Sequence, residues 1–140
     1  MSTTLIVITI IVVIVLLHRK RKTTEKSSLQ SLDYHIRKVL LAAGYDHNLH
    51  FVLKEHDERN FTINKEEVFL CTSCFSEGEE DRLLYVALHE IAHVLHRDVC
   101  MLGDDNCDSD SHSESWLVIF KTLLSKALLL GYLDRSKMNV

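Results

Sequence analysis

The chain has 140 residues, 46% of them hydrophobic, a formal charge of −4 and no proline. That length is enough for one domain. The charge is unevenly divided: residues 1–22 hold four Lys or Arg and no acid, and the other 12 basic residues stand among all 20 Asp and Glu. Because phosphate contacts are made by clustered lysine and arginine, this acidic body argues against direct nucleic-acid binding.

The first predicted element is an N-terminal transmembrane helix. Residues 2–17 carry no charge, and a basic run, residues 18–22, follows at once. Sixteen helical residues span about 24 Å of a hydrocarbon core of about 30 Å. A cleaved signal peptide is disfavoured, because the basic residues follow the apolar run and no Ala-x-Ala site is present. The charge asymmetry predicts a single-pass membrane protein with its domain on the cytosolic side.

Three segments follow from these boundaries: an anchor over residues 1–22, a polar linker over 23–30 and a domain over 31–140. Within the domain a helix is expected from about Ser31 to Ala43, ended by Gly44. Alternation over Leu49, Phe51 and Leu53 predicts a strand, and residues 61–74 read as further strand.

Four cysteines are candidates for a disulfide or a structural zinc site. Cys71 and Cys74 have the spacing of a half-site, but Cys100 and Cys107 are too far apart to complete one. On the cytosolic side thiols stay reduced, so four free cysteines are expected.

The strongest chemical signal lies in Val86–Leu95, where His89-Glu90-x-x-His93 is set in an apolar helical run. At about 100° per residue, His89 and His93 lie one turn apart on the same helix face, so both imidazoles can bind one ion. Glu90 lies on the flank of that face, beside the place of a metal-bound water. Buried without a ligand, these three side chains would be costly to desolvate, so the pattern predicts a zinc site.

After this helix comes an acidic stretch, residues 103–110, in which Asp104, Asn106 and Asp108 have the spacing of a calcium loop. The rest of that pattern fails, and a solvated loop is expected. A last helix is predicted from about His112 to Gly131, opened by a Ser111-x-x-Glu114 capping box and carrying an apolar stripe from Trp116 to Leu128.

A catalytic zinc needs a third protein ligand and an open position. His96 is too close in sequence to His93 to close a tetrahedral site easily, and Asp98 reads as a helix-end residue. Glu114 and His112, at the start of the last helix, follow His93 by 21 and 19 positions. The residues alone leave both open.

The segment Tyr85–Asp134 resembles the SprT-like and WLM-type zinc metallopeptidases, through Ala87–His93, then Ser111–Trp116, Phe120–Leu124 and Gly131–Leu133. It looks closest to small metallopeptidases inferred in large DNA viruses. In those proteins a histidine that opens the helix after the motif is taken as the third ligand, and His112 is the matching position. The sequence departs from the pattern in the longer acidic insertion Arg97–Asp110 and in the place of Trp116, displaced by one.

The resemblance implies an α+β, compact zincin-like domain, with a small sheet, the motif helix and a C-terminal helix behind one transmembrane helix. His89, His93 and His112 would hold Zn²⁺, and Glu90 would be the general base. The expected partners are a peptide or protein substrate, bound along a strand at Val68–Cys71, and a host or virion membrane. Tyr85 or His96 could assist the oxyanion, but a packing or surface role is the expectation for each. Two other functions stay open: a non-peptidase zinc hydrolase, and a structural viral membrane protein that retains a zinc site.

Overall fold

The computed structural model describes residues 2–101 and 112–137, and it is a small α+β fold. Its elements, in chain order, are α1 (Thr3–Ala43), β1 (Val52–Glu55), β2 (Phe61–Ile63), β3 (Glu67–Leu70), a 3₁₀ turn (Thr72–Cys74), α2 (Glu80–Met101), α3 (Glu114–Leu129) and a second 3₁₀ turn (Arg135–Lys137). The acidic stretch with Asp104, Asn106 and Asp108 lies outside the described residues, as does Ser111 of the expected capping box.

Helix α1 joins two parts that the sequence predicts as separate. It runs without a break through residues 23–30, where we expected a linker, and ends at Gly44, whose φ of 80° suits glycine. The expected start at Ser31 is wrong because a helix that is already formed extends at little cost through polar residues when no proline or glycine interrupts it.

The N-terminal part of α1 is exposed along its whole apolar length. Thr3–Lys20 forms an 18-residue stretch of mean hydropathy 2.1, none of it buried. By length and composition it can cross a membrane or act as a signal sequence. The C-terminal part of the same helix enters the core through Leu32, Ile36, Val39 and Leu40.

The sheet has the order β1-β3-β2, with β1 parallel and β2 antiparallel to β3. The continuous strand expected over residues 61–74 is divided by a turn at Asn64 and Lys65, whose φ values are 51° and 55°. Two consecutive left-handed residues make a tight hairpin turn, usually signalled by glycine. With lysine in the second place, the sequence gives no such signal.

One face of the sheet and the three helices enclose a single core. Val68 and Leu70 of β3 pack there with the apolar faces of α2 and α3. The first strand begins at Val52, later than the predicted alternation, because Leu49 and Phe51 are buried as part of the preceding loop. Helix α2 therefore lies between the sheet and α3, which places its residues at the centre of the domain.

Cys71 and Cys74 form a disulfide, so the expectation of free thiols is wrong for this pair. Cys71 directly follows β3, and the 3₁₀ turn after it brings the two Cα atoms to 5.3 Å, a separation that a disulfide accommodates. The thiols of Cys100 and Cys107 lie outside the described side chains. Disulfides persist in oxidising compartments, so this bond disagrees with the cytosolic side that the basic run predicts.

Candidate metal centre

Helix α2 carries the motif with its apolar side in the core. Leu88, Ile91 and Ala92 are fully buried around it. His89 and His93 are half-buried, with ring centroids 5.2 Å apart on one helix face. Burial of the neighbouring residues thus fixes the rotation of the helix and turns both imidazoles toward the same partly open place.

His112 reaches that place from the residue before the cap of α3. The helix begins at Glu114, two residues later than expected, and Ser113 is its N-cap, with a hydroxyl that accepts from the backbone N–H of Trp116. The Nε2 atoms of His112 and His89 are 3.0 Å apart. Two ligand atoms of a tetrahedral zinc are roughly 3.3 Å apart, so this spacing is close to that of a filled site.

The structure brings the three expected histidines together. One ring nitrogen from each of His89, His93 and His112 lies within 4.8 Å of the others. Glu114 is exposed on the first turn of α3 and is not part of this cluster. The side chain of Asp98, another candidate from the sequence, lies outside the described ones.

Burial lowers the pKa values of His89 and His93. Burial is the largest of the causes that lower the pKa of His93 to about 4, and the charges of His89, His112, His96 and Lys65 are the others. The pKa of His89 is also below its usual value, first through burial and then through the charge of His112. Metals bind the neutral imidazole, so these side chains are ready as ligands at neutral pH.

Glu90 is held beside the three histidines by a contact that the sequence did not predict. The Thr62 hydroxyl of β2 donates to Glu90 Oε2 at 2.5 Å. Only 8% of Glu90 is exposed, and burial raises the pKa of its carboxyl, while the Thr62 hydrogen bond and the His112 charge lower it. Thr62 comes from the sheet and Glu90 from a helix 28 residues later, so only tertiary packing joins them.

Trp116 forms the wall behind the three imidazoles. Its ring centroid lies 4.7 Å from that of His89, 5.1 Å from His93 and 4.6 Å from His112, and it is 4% exposed. The apolar stripe of the last helix predicted a core role for Trp116. Its place one turn after His112 was the signal in the sequence that it would also contact the site.

Two further expectations concern residues around the three histidines: the role of Tyr85 and the binding of a peptide along Val68–Cys71. Tyr85 packs edge-on against Phe120, a core contact. The strand Val68–Cys71 cannot add a peptide strand, since β3 is paired on both sides by β1 and β2. That expectation is therefore wrong. Among the described strands, β2 lies at the edge of the sheet near the site and packs against α2.

Comparison with known proteins finds two viral relatives. The chain is 38% identical over 84 residues to uncharacterized protein 136R of Invertebrate iridescent virus 6, which covers 56% of this chain and 41% of that protein. It is 32% identical over 84 residues to uncharacterized protein 042R of Invertebrate iridescent virus 3, covering 58% and 46%. The chain thus spans less than half the length of either relative. No family model matches, and no solved structure matches significantly.

Proposed function

We propose that the protein is a membrane-anchored, zinc-dependent metallopeptidase of zincin-like architecture. The observation that carries the proposal is the convergence of three imidazoles with a buried carboxylate that is held beside them by Thr62. A purely structural metal site needs its ligands but has no use for such a carboxylate. This favours catalysis over the structural alternative.

The donor set fits zinc. Three imidazole nitrogens within 4.8 Å of one another suit Zn²⁺, and three protein ligands leave one position open, as catalytic zinc sites do. His89 and His93 would bind from α2, and His112 from the start of α3. When bound, the ion would lower the pKa of a water and polarise the scissile carbonyl.

Glu90 performs the proton transfers in this proposal. Its Oε2 is fixed by Thr62, and within the described residues Oε1 has no hydrogen-bond partner, so it can accept the proton of the attacking water. Burial raises the pKa of Glu90, which makes it a stronger base and lets it hold that proton until the leaving amine takes it. The buried position also keeps competing solvent from the carboxylate.

The free edge of β2 offers a place for an extended peptide. A substrate strand can pair there by main-chain hydrogen bonds, which need no particular side chains. Because Thr62 lies on β2, such a peptide would run next to Glu90. The continuous α1 separates Lys20, at the end of the apolar stretch, from Leu29, which packs on the core, by roughly 14 Å. Peptides near the membrane surface are therefore the expected substrates.

The test uses the full-length protein in detergent micelles. Wild type should bind close to one zinc per chain, measured by atomic absorption, and cleave members of a peptide library. Glu90→Gln should retain the metal and lose at least about 100-fold in rate, since glutamine has nearly the same shape but cannot take the proton. Glu80→Gln, the same change at an exposed glutamate of α2, is the matched control. Loss of zinc in Glu90→Gln, or unchanged cleavage, would contradict the mechanism.

The side of the membrane is tested separately. The basic run after the apolar stretch leads us to propose the cytosolic side, so protease added to sealed microsomes should digest the domain. In the same sample, alkylation with and without a reductant shows whether the Cys71–Cys74 disulfide is intact on that side of the membrane. A protected domain with an intact disulfide would reverse the orientation.

A further inference from the structure

His96 is a buried polar residue to which the proposed mechanism assigns no role. It follows His93 by three residues on α2, and 3% of it is exposed. Its Nε2 lies 2.8 Å from the Ser115 hydroxyl and 3.2 Å from that of Ser113. The two hydroxyls are also 3.0 Å apart, so the three groups form a triangle of polar atoms between α2 and the start of α3, in which Nε2 bonds one hydroxyl and the hydroxyls bond each other.

This triangle includes the residue that decides where α3 begins. Ser113 is the N-cap, and its hydroxyl also accepts from the backbone N–H of Trp116. An N-cap fixes the direction in which the chain enters a helix. His112 is the residue directly before this cap, so its backbone position depends on how firmly Ser113 is held.

The ring contacts of His112 are less directional than hydrogen bonds. Its ring packs against those of His89, His93 and Trp116 with centroids 4.6–5.0 Å apart, and the residue itself is exposed. Ring packing tolerates sliding and rotation, whereas hydrogen bonds between buried groups are directional and costly to break. The triangle is therefore the part of the structure suited to set the approach of His112.

We propose that His96 is a positioning residue for the metal centre, acting through the Ser113 cap to place His112 as third ligand. The inference rests on the proposed metal site. His96 is not a ligand in this account, because its Nε2 is engaged by the serines and it lies outside the cluster of three ligand nitrogens. Hydrogen-bonded partners outside the ligand set commonly change metal affinity by 10- to 100-fold.

The experiment is a double-mutant cycle on zinc affinity in the full-length protein. Trp116 is the only tryptophan and contacts all three imidazoles, so its fluorescence follows loading during competition with a chelator. His96→Leu should weaken zinc binding about 10- to 100-fold. His96→Gln, whose amide nitrogen can donate from nearly the same place as Nε2, should restore most of that loss.

The decisive comparison is made in a His112→Ala background. If His96 acts through His112, His96→Leu should change affinity there by less than about 3-fold, since the ligand it positions is gone. Equal losses in both backgrounds would show a general structural effect and overturn the inference, as would an unchanged affinity in the single variant. His50→Leu, at an exposed histidine outside this network, is the matched control and should bind zinc like wild type.

Two outcomes must be kept apart. If wild type binds no zinc, the proposed function fails before His96 is tested. If His96→Leu does not fold, Ser115→Ala takes its place in the cycle, because it keeps the contact between His96 and Ser113. It should show a smaller loss of about 3- to 10-fold that also disappears in the His112→Ala background. No loss with Ser115→Ala, or a loss that persists without His112, would overturn the inference.

Discussion

The two helices that supply the candidate ligands do so in different ways. Helix α2 places His89 and His93 through the geometry of a single helix, so their relative position survives any shift of the domain around them. His112 lies outside regular structure, before Ser113, and depends on contacts with another element. One half of the site is therefore encoded locally, and the other half is assembled.

This difference predicts where the site is vulnerable. A change in the surroundings of α2 should leave two ligands in place, while a change at the junction with α3 should remove the third. The same contrast applies to Glu90, which belongs to α2 by sequence but receives its hydrogen bond from Thr62 of the sheet. The predictions below probe the contrast from the largest expected effect to the smallest.

Removal of the assembled ligand should have the largest effect. His112→Ala leaves two of three protein ligands, so zinc affinity should fall by orders of magnitude. Glu114→Ala should cost at most about 1 kcal/mol of stability and keep the metal, because this glutamate is exposed on the first turn. Chelator competition measures both. Loss of metal in Glu114→Ala with retention in His112→Ala would mean that the glutamate closes the site.

Thr62→Val should reduce catalysis without affecting the metal. The valine keeps the shape of the side chain but leaves Glu90 Oε2 without its donor, and we expect a loss of about 10-fold in kcat with little change in KM. Because the Thr62 hydrogen bond lowers the pKa of Glu90, its removal should raise that pKa and move the acidic limb of the rate profile to higher pH. Thr62→Ser should have the wild-type kcat and the wild-type acidic limb, since its hydroxyl can donate the same hydrogen bond. Wild-type kinetics in Thr62→Val would show that Thr62 has no role in catalysis.

The smallest expected effect concerns the metal-free protein. Burial and the charges of His89, His112, His96 and Lys65 lower the pKa of His93 to about 4. An unfolded histidine binds a proton below about 6.5. Between these two pH values the unfolded state binds more protons at this histidine than the native state does. The free energy of unfolding is therefore highest above pH 6.5 and falls as the pH drops toward 4.

In excess chelator, the unfolding midpoint should therefore drop on the order of 5 °C between pH 7 and pH 5. His93→Gln should make the unfolding midpoint less dependent on pH, because it removes a side chain whose pKa is lower in the native state than in the unfolded state. His50→Gln, at an exposed histidine, should leave the dependence as in wild type. A midpoint that stays constant in wild type, or a reduction with both variants, would contradict the assignment to His93.

Much of the architecture followed from local patterns. Residues close in sequence were enough to predict three elements: the apolar N-terminal stretch, the motif helix and the last helix. Gly44 was also correctly predicted as the end of a helix. The errors have equally local causes. The turn at Asn64 and Lys65 lacks the glycine that usually signals such a turn. The polar residues 23–30 neither require nor forbid a helix, so the helical segments on both sides determine that this stretch is helical too.

The sequence by itself determined the pair His89 and His93, with Glu90 on their flank, because a helix fixes neighbours three and four residues apart whatever surrounds it. It left His112 and Glu114 undecided, and it contained no sign of the hydrogen bonds from Thr62 or among His96, Ser113 and Ser115. Tertiary structure alone brought the Nε2 atom of His112 to 3.0 Å from that of His89. These contacts depend on how helices and sheet pack around a shared core, and packing is a property of the whole chain, which no local spacing records.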